Sequence, residues 1–413
     1  MDSDEAPEAT AREEAESGSE PASILAPVGI VGAGAMGSGI AQVAAVAGHR
    51  VLLLDTTDGA AAAAVGRVRA QLDRLVAKGR LGRTDADAAL SRLSAVDAVD
   101  DLPECGLVIE AAPEHLELKQ RLFAELSERQ PPTTVLASNT SSIDIDAIAR
   151  DVSDPERVLG LHFFNPPPVM ALVEVVHGAT TSPAYVEHAM ALMAAWGKTP
   201  VRCASTPGFI VNRVARPFYG EAQRLVEAGV ADAATVDWVL RERGGFPMGP
   251  LELTDFIGQD VNLAVGTSVW EQTGRDERYA PTDFQRRLVE EGRLGRKTGG
   301  GVYRYAADGA VEGAEPDREL AARLVGGPVT TDPLARTVAM LVNEAVDLVA
   351  RGEASADDVD TAMRLGVRYP RGPIEWGRAI GFERVATQIA ELDAAFPGGR
   401  YRPSPALTDG SLG

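Results

Sequence analysis

One stretch limits the fold of this chain more than any other: "VGIVGAGAMGSGIAQVAAVAGHRVLLLD", from Val28 to Asp55. A β-branched run to Val31 meets Gly32-x-Gly34-x-x-Gly37. Small residues follow, with Ile40, Val43 and Ala44 at helical spacing, and then the apolar run Val51 to Leu54. This is strand, turn, helix, strand. Gly32 permits the tight turn, Gly34 lets backbone approach a pyrophosphate, and Gly37 lets the helix lie against the sheet, with the amides of Ala35 and Met36 opening toward phosphate. Asp55 ends the second strand, where an acceptor for ribose hydroxyls belongs. No arginine follows it directly in "DTTDGA", and a carboxylate there repels a 2'-phosphate, so NAD is expected rather than NADP.

Four more short apolar runs continue the pattern: Cys105 to Ala112, Thr133 to Ser142, Arg157 to Phe164 and Leu172 to Gly178. Helical or loop segments separate them, so the expected architecture is a Rossmann-like doubly wound parallel sheet. Ligands of such sheets sit beyond the carboxyl ends of the strands. Ser141 and His162 each fall near such an end and are expected to face the cofactor crevice.

Within "GLHFFNPPPVMALVEVV" stand one of the chain's five histidines, His162, and a glutamate twelve positions on, Glu174, flanked by Leu172, Val173, Val175 and Val176. A strand that buries these neighbours would desolvate the carboxylate, which then needs a partner. Two readings stand at this point: a paired histidine and glutamate, or a satisfied core histidine with a glutamate facing solvent.

Charge narrows the partners. The net charge of -20 repels phosphate, so neither nucleic acid nor an anionic membrane is an expected partner. The uncharged span from Pro21 to Gly48 is interrupted by six glycines and preceded by acidic residues, unlike a signal peptide or membrane helix. Cys105 and Cys203 are isolated, without metal-ligand or disulfide spacing, which favours a reducing cytoplasm and no metal. Against the acidic background, Arg67, Arg74 and Lys78 share one face of an amphipathic helix whose buried stripe is Val65, Val68, Leu72, Leu75 and Val76. This face is either simply solvated or a landing site for a phosphorylated acyl carrier, with Lys78 the candidate contact for coenzyme A phosphate.

After Thr206-Pro207-Gly208 the pattern turns helical and repeats. Glu221, Gly229, Asp237, Pro247, Gly249, Pro250, Glu252 and Gly258 recur, without a gap, as Glu344, Gly352, Asp360, Pro370, Gly372, Pro373, Glu375 and Gly381. Asn212 corresponds to Ala335, whereas Arg213 keeps an arginine at Arg336. Copy one is therefore expected to supply chemistry, and copy two to cover a surface that a single-copy chain would bury by dimerising. The organisation expected is a disordered acidic tail over 1–26, a dinucleotide-binding domain over 27–204, a helical domain over 205–305, a linker over 306–331, the second copy over 332–396 and a flexible tail over 397–413. The C-terminal domain is expected to be all-α with an internal repeat.

Together "GAGAMGSG", "ASNTSSI", "GLHFFNPPPVMALVEVV", "TPGFIVNR", "GFPMGPLEL" and "GRLGRKTGGGVY" resemble the L-3-hydroxyacyl-CoA dehydrogenases, in particular the bacterial 3-hydroxybutyryl-CoA and 3-hydroxyadipyl-CoA types with a duplicated C-terminal domain. The resemblance implies NAD-dependent oxidation of a 3-hydroxyacyl-CoA. It also implies that His162 is the acid/base, Glu174 its partner, and Ser141 and Asn212 substrate contacts, and it places Glu114, Lys119, Asn165 and Lys297 near NAD. Two rivals remain: the same chemistry on an acyl-carrier protein, and a non-enzymatic dinucleotide-binding protein that shares the fold. Acyl length, recognition of a distal carboxylate and a homodimer stay open.

Overall fold

The structure is a computed structural model that describes residues 26–409. The acidic segment expected to be a disordered tail lies, apart from Ala26, outside the described residues. The N-terminal half forms one eight-stranded sheet: β1 (Val28–Val31), β2 (Val51–Leu54), β3 (Leu93–Val96), β4 (Leu107–Glu110), β5 (Val135–Ser138), β6 (Val158–Phe163), β7 (Leu172–His177) and β8 (Thr199–Ala204). Their order is β3-β2-β1-β4-β5-β6-β7-β8. The direction of winding therefore reverses between β1 and β4, and a crevice for a ligand opens there. Apolar clusters cover both faces of the sheet, which is why the first strands read as unbroken hydrophobic runs.

The sheet departs from an all-parallel expectation at one place: β7 runs antiparallel to β6, and β8 parallel to β7. Only the short proline-containing loop 164–171 joins β6 to β7. A parallel return needs a crossover of a dozen residues or more, so the strand has to turn back. Two strands also escaped the sequence pattern. β3, "LSAV", lies at one edge with two exposed residues, and β8, "TPVRCA", lies at the other edge and carries a proline, which only an edge tolerates.

The rest is helical, apart from a small hairpin of Arg304–Tyr305 with Val311–Glu312 that an all-α expectation did not include. Helices Arg216–Glu227, Ala233–Trp238, Pro250–Ile257 and Gln259–Gln272 make copy one. Pro333–Ala350, Ala356–Gly366, Pro373–Ile380 and Phe382–Ala395 make copy two. The two copies share their internal bonding. Asp237 accepts from the amides of Leu251 and Glu252 at 2.9 and 2.8 Å, and Asp360 accepts from Ile374 and Glu375 at 2.7 and 3.0 Å. In each copy a Cβ on the glycine before the proline, Gly249 or Gly372, would lie 2.2 Å from that aspartate's carboxyl carbon, which explains why both must be glycine.

The copies also bind each other reciprocally. Arg213 of copy one pairs with buried Glu344 of copy two at 2.6 Å, and Arg336 of copy two pairs with buried Glu221 of copy one at 2.7 Å. Tyr279 donates to Glu344 at 2.5 Å and Tyr401 to Glu221 at 2.8 Å. Residue i of one unit meeting residue j of the other, and the reverse, is the signature of a two-fold interface. Here both halves belong to one chain.

The segments after each copy are tied down as well. In the stretch 306–331 the helix Arg318–Leu324 docks through buried Ala321, and the amide of Asp317 donates to Thr235 Oγ1 at 2.8 Å. Residues 397–409, expected to be a flexible tail, are packed instead: Tyr401 is only 2% exposed, and Ala406 and Leu407 are buried. The aromatic ring and hydroxyl of Tyr401 are part of the Glu221 cluster, a demand that composition alone did not reveal.

Candidate active site

At the crevice between β1 and β4, three glycines have three different reasons. Gly32 has φ of +103°, and a Cβ there would sit 2.5 Å from the Ala111 carbonyl oxygen. A Cβ on Gly37 would fall 1.8 Å from the Gly32 carbonyl oxygen. Gly34 has neither constraint: its φ is -66°, and nothing lies within 4 Å of where its Cβ would be. The fold does not require glycine at 34, whereas a phosphate seated at the start of the helix Ala35–Val46 would. That helix has no side-chain cap and no acid in its first turn, so its leading amides remain available for an anion.

Asp55 faces this turn. Its Oδ2 accepts from the Ala33 amide at 2.7 Å and its Oδ1 from the Thr57 amide at 2.9 Å. Burial would raise its pKa, but these amide bonds and the nearby Arg67 hold it below the usual carboxylate value. The anion is thus fixed at the rim, where ribose hydroxyls can donate to it. The turn and Asp55 fit a dinucleotide's pyrophosphate and adenosine ribose.

Arg67, read from sequence as part of the basic stripe, turns back to this turn and donates to the Ala33 carbonyl at 2.5 Å. Arg74 donates to its own helix at the Ala70 carbonyl, at 3.1 Å, and Lys78 is exposed at the helix end.

The antiparallel pairing of β6 and β7 sets His162 directly opposite Glu174, which accounts for their spacing of twelve. His162 Nδ1 lies 2.6 Å from Glu174 Oε2. An ionised carboxylate only accepts, so Nδ1 carries the proton and Nε2 is left as the basic nitrogen. Among the described residues no protein group bonds Nε2. The ring is held between Phe164 and Phe209, with centroids 4.5 and 5.9 Å away. His49 shows the opposite case: Nδ1 meets the Ala26 carbonyl at 2.9 Å and Nε2 accepts from Trp196 at 2.9 Å, so both nitrogens are committed.

Glu174 is 0% exposed and has a second task. Its Oε1 accepts from the amides of Ile210 and Val211 at 3.1 and 2.9 Å, where the chain enters the helical domain. One carboxylate therefore orients the imidazole and anchors the segment that carries Asn212. Asn212 Nδ2 reaches the Ser141 carbonyl at 3.5 Å, a long contact across the domain junction. Ser141, Asn212, His162 and Glu174 are thus brought to one place.

The residues carried over for the cofactor scatter more. Glu114 organises the Ser141 loop: its Oε1 accepts from Thr140 Oγ1 at 2.5 Å and from Ser141 N and Ser142 Oγ at 3.1 Å each. Lys119 is buried, with Nζ 2.6 Å from Glu110 Oε1 and 3.3 Å from Glu114 Oε2, so it holds these carboxylates rather than reaching into the crevice. Asn165 is exposed just beyond β6. Lys297 lies in the helical half, its ammonium bound by both oxygens of Asp260 at 2.6 and 2.7 Å, and it is not joined to the others by any described bond. Sequence reasoning missed Glu110, fully buried and bonded to Lys119, Ser138 Oγ and the Ala112 amide. The signal was present: like Glu174, it is a carboxylate within an apolar run, "LVIEAA". No group of three or more candidate metal ligands occurs among the described residues.

Comparison with known proteins agrees over most of the chain. Residues 27–206 match the family model "3-hydroxyacyl-CoA dehydrogenase, NAD binding domain", and residues 208–305 and 334–410 match "3-hydroxyacyl-CoA dehydrogenase, C-terminal domain". The chain is 42% identical to the 3-hydroxyadipyl-CoA dehydrogenase of Escherichia coli K12, covering 93% of this chain and 97% of that one. A crystal structure of a 3-hydroxybutyryl-CoA dehydrogenase from the same organism superposes with a TM-score of 0.85 at 41% identity, over 94% of this chain and 98% of that one. The human mitochondrial hydroxyacyl-coenzyme A dehydrogenase is 38% identical, but it accounts for only 68% of this chain while 92% of its own length is covered. With both halves matched and a relative aligned nearly end to end, the chain belongs to the 3-hydroxyacyl-CoA dehydrogenase family.

Proposed function

We propose that this protein oxidises a (S)-3-hydroxyacyl-CoA to the 3-oxoacyl-CoA, reversibly and with NAD, and that 3-hydroxybutyryl-CoA or 3-hydroxyadipyl-CoA is its substrate. The observation that carries this reading is the buried pair of His162 and Glu174, with Nε2 of the imidazole left unbonded by protein. Bound NAD supplies the hydride acceptor. Gly32, Gly34 and Gly37 with the leading amides at Ala35 and Met36 hold its pyrophosphate, and Asp55 holds its ribose.

Oxidation of a secondary alcohol also requires removal of the hydroxyl proton, and the group that takes it must touch the oxygen. His162 Nε2 does this. Glu174 keeps the other nitrogen protonated and stabilises the imidazolium that forms, as the acid does in any histidine–carboxylate pair. In the reverse direction the imidazolium returns the proton to the oxygen. Ser141 and Asn212 bind the polar atoms of the acyl thioester. Glu114 and Lys119 act behind them by fixing the Ser141 loop, and Asn165 and Lys297 border the cofactor. Lys78 is a contact for the phosphates of coenzyme A.

The domain organisation supports a molecule that completes its own helical interface. The reciprocal Arg213–Glu344 and Arg336–Glu221 pairs fill the surface that a single-copy relative would leave for a second subunit. Acyl-carrier protein is the second carrier to weigh, since it presents the same phosphopantetheine. No helix among the described residues is long and apolar enough to cross a membrane, and a cytoplasmic location suits a reducing environment for buried Cys105 and Cys203. The test is NADH absorbance with acetoacetyl-CoA. Saturable NADH consumption is expected, and absence of turnover on every 3-oxoacyl-CoA offered would refute the reading.

A further inference from the structure

The site and the second helical copy meet at one short segment, residues 206–213, which joins the sheet domain to copy one. The turn in its middle has an uncommon backbone: Gly208 and Phe209 both have positive φ, +79° and +50°. A residue with a Cβ takes up that conformation only where its surroundings hold it there. The turn bears directly on the base. It sets the Phe209 ring 5.9 Å from the His162 ring, and it aims the amides of Ile210 and Val211 at Glu174 Oε1, at 3.1 and 2.9 Å. Asn212 follows directly.

Copy two holds this turn. Glu353 Oε2 accepts from Thr206 Oγ1 at 3.1 Å, before the turn, and from Arg213 Nη1, after it. The Glu353 carbonyl oxygen also accepts from the Ala204 amide at 2.8 Å. One residue therefore ties both ends together. Close by, the helix Ala356–Gly366 lies so near that a Cβ on Gly366 would stand 2.9 Å from Leu172 Cδ2 and 3.0 Å from Val211 Cγ2. Leu172 opens β7, two residues before Glu174.

The repeat sets Glu353 apart from the rest of the shared unit. Gly352, with φ of +70°, ends the helix Pro333–Ala350, and the Glu353 amide returns to the Leu348 carbonyl at 3.2 Å. In copy one Gly229, with φ of +68°, ends the helix Arg216–Glu227, and the Val230 amide returns to the Leu225 carbonyl at 3.0 Å. The two positions are equivalent in local structure as well as in sequence, yet one copy carries valine and the other an acid. The facing arginines differ to match. Arg213 Nη1 is bonded to Glu353, whereas Arg336 Nη1 donates to the Thr330 carbonyl at 2.9 Å. The carboxylate stands at the half that adjoins His162 and Glu174.

We propose that Glu353 is a positioning residue for the dehydrogenation: by tying Thr206 to Arg213 it keeps the turn 208–211 seated on Glu174 and so keeps His162 aimed at the substrate. Copy two then does more than cover an interface, since it supplies a side chain that the catalytic half needs and that copy one lacks. This rests on the dehydrogenase reading above and adds to it a residue that acts from outside the crevice.

The test measures reduction of acetoacetyl-CoA by NADH in full-length variants. Glu353→Val, which installs the residue of copy one, is expected to lower kcat about tenfold while KM for NADH stays within about twofold, because the loss is one of alignment and not of cofactor binding. The limb of the pH profile that reports the base should move to higher pH, since a Glu174 relieved of amide donors holds an imidazolium more tightly. Glu353→Gln keeps an oxygen that can accept from both Thr206 and Arg213, and it should stay within about threefold of wild type. Thr206→Val should lower kcat about threefold, and combining it with Glu353→Val should add little, because both remove one contact. A residue that only stabilises the fold would lower the melting temperature and leave kcat per folded molecule and the pH limb as in wild type, and that result overturns the proposal. Additive losses in the double variant overturn it too. If Glu353→Val does not fold, Thr206→Val decides by the same kcat and pH readouts. Inactivity of wild type on every 3-oxoacyl-CoA removes the dehydrogenase reading itself, whereas an active wild type with an unimpaired Glu353→Val removes only the role of Glu353.

Discussion

His162 and Glu174 face one another across two antiparallel strands, with Nδ1 and Oε2 at 2.6 Å, and the same glutamate receives the amides of Ile210 and Val211 from the helical domain. The orientation of the base and the seating of the second domain therefore depend on one buried anion. Replacing His162 by alanine should lower turnover by about 10²-fold or more while leaving NAD affinity within a few-fold. Glu174→Gln should lower turnover too, and should change the pH profile, because a neutral amide stabilises an imidazolium less than an anion does. Steady-state kinetics across pH, with NAD binding measured by fluorescence, check both. A His162→Ala enzyme with near-native turnover is incompatible with this chemistry.

The glycines of the turn should separate binding from folding. A methyl group at Gly34 meets open space, so Gly34→Ala should melt close to wild type yet bind NAD about tenfold more weakly or worse, since the methyl occupies the phosphate's seat. A methyl group at Gly37 would lie 1.8 Å from the Gly32 carbonyl oxygen, so Gly37→Ala should cost about 3 kcal/mol of stability. Thermal melts and NAD titrations of the two variants give opposite patterns if the assignment holds.

Asp55 should govern the choice of cofactor. Removing its carboxylate takes away the acceptor for the ribose hydroxyls and the charge that repels a 2'-phosphate, and Arg67 stands close by. Asp55→Ala should weaken NAD by about tenfold and narrow the preference over NADP. A wild-type enzyme that prefers NADP would contradict the role given to this residue.

Acid should loosen the interface between the helical copies. Burial alone would raise the Glu221 carboxyl, but Arg400, Arg336 and Arg224 overcome this and bring it from 4.5 down to about 2. Glu344 is lowered in the same sense, against burial, by Arg213 and Arg278. A carboxyl with a depressed folded-state pKa contributes stability that is full above its unfolded value and is lost as pH falls through the folded one. The window for Glu221 therefore runs from about pH 4.5 down to about 2, and its contribution is on the order of 3 kcal/mol. Denaturant unfolding across that range should show the loss. Glu221→Gln should be destabilised by about 4 kcal/mol at neutral pH, because three arginines lose their anion, and should respond less to acid. An identical acid slope in wild type and variant would rule out this cluster as the source.

Much of this was legible in the residues. The βαβ unit around Gly32, Gly34 and Gly37 follows from local sterics and periodicity, since only a few backbone geometries accept that order of strand, turn and helix. The repeat, too, could be read from spacing, because Asp237 and Asp360 demand the same glycine and proline downstream of them. What local pattern could not convey was which groups meet. The reversal of β7 depends on the shortness of the 164–171 loop and on the space beside β6, and it alone sets His162 opposite Glu174. The edge strands β3 and β8 carry too little alternation to announce themselves. Lys119 and Lys297 look alike as exposed-type cations in a sequence, yet one is sunk against Glu110 and the other is held by Asp260. The packed segment 397–409 follows from Tyr401 and Arg400 reaching a glutamate some 180 residues earlier. By itself the sequence determined the local conformations and the chemical groups available. Only the tertiary structure decided their partners, because the energy of a buried charge depends on neighbours that chain order does not fix.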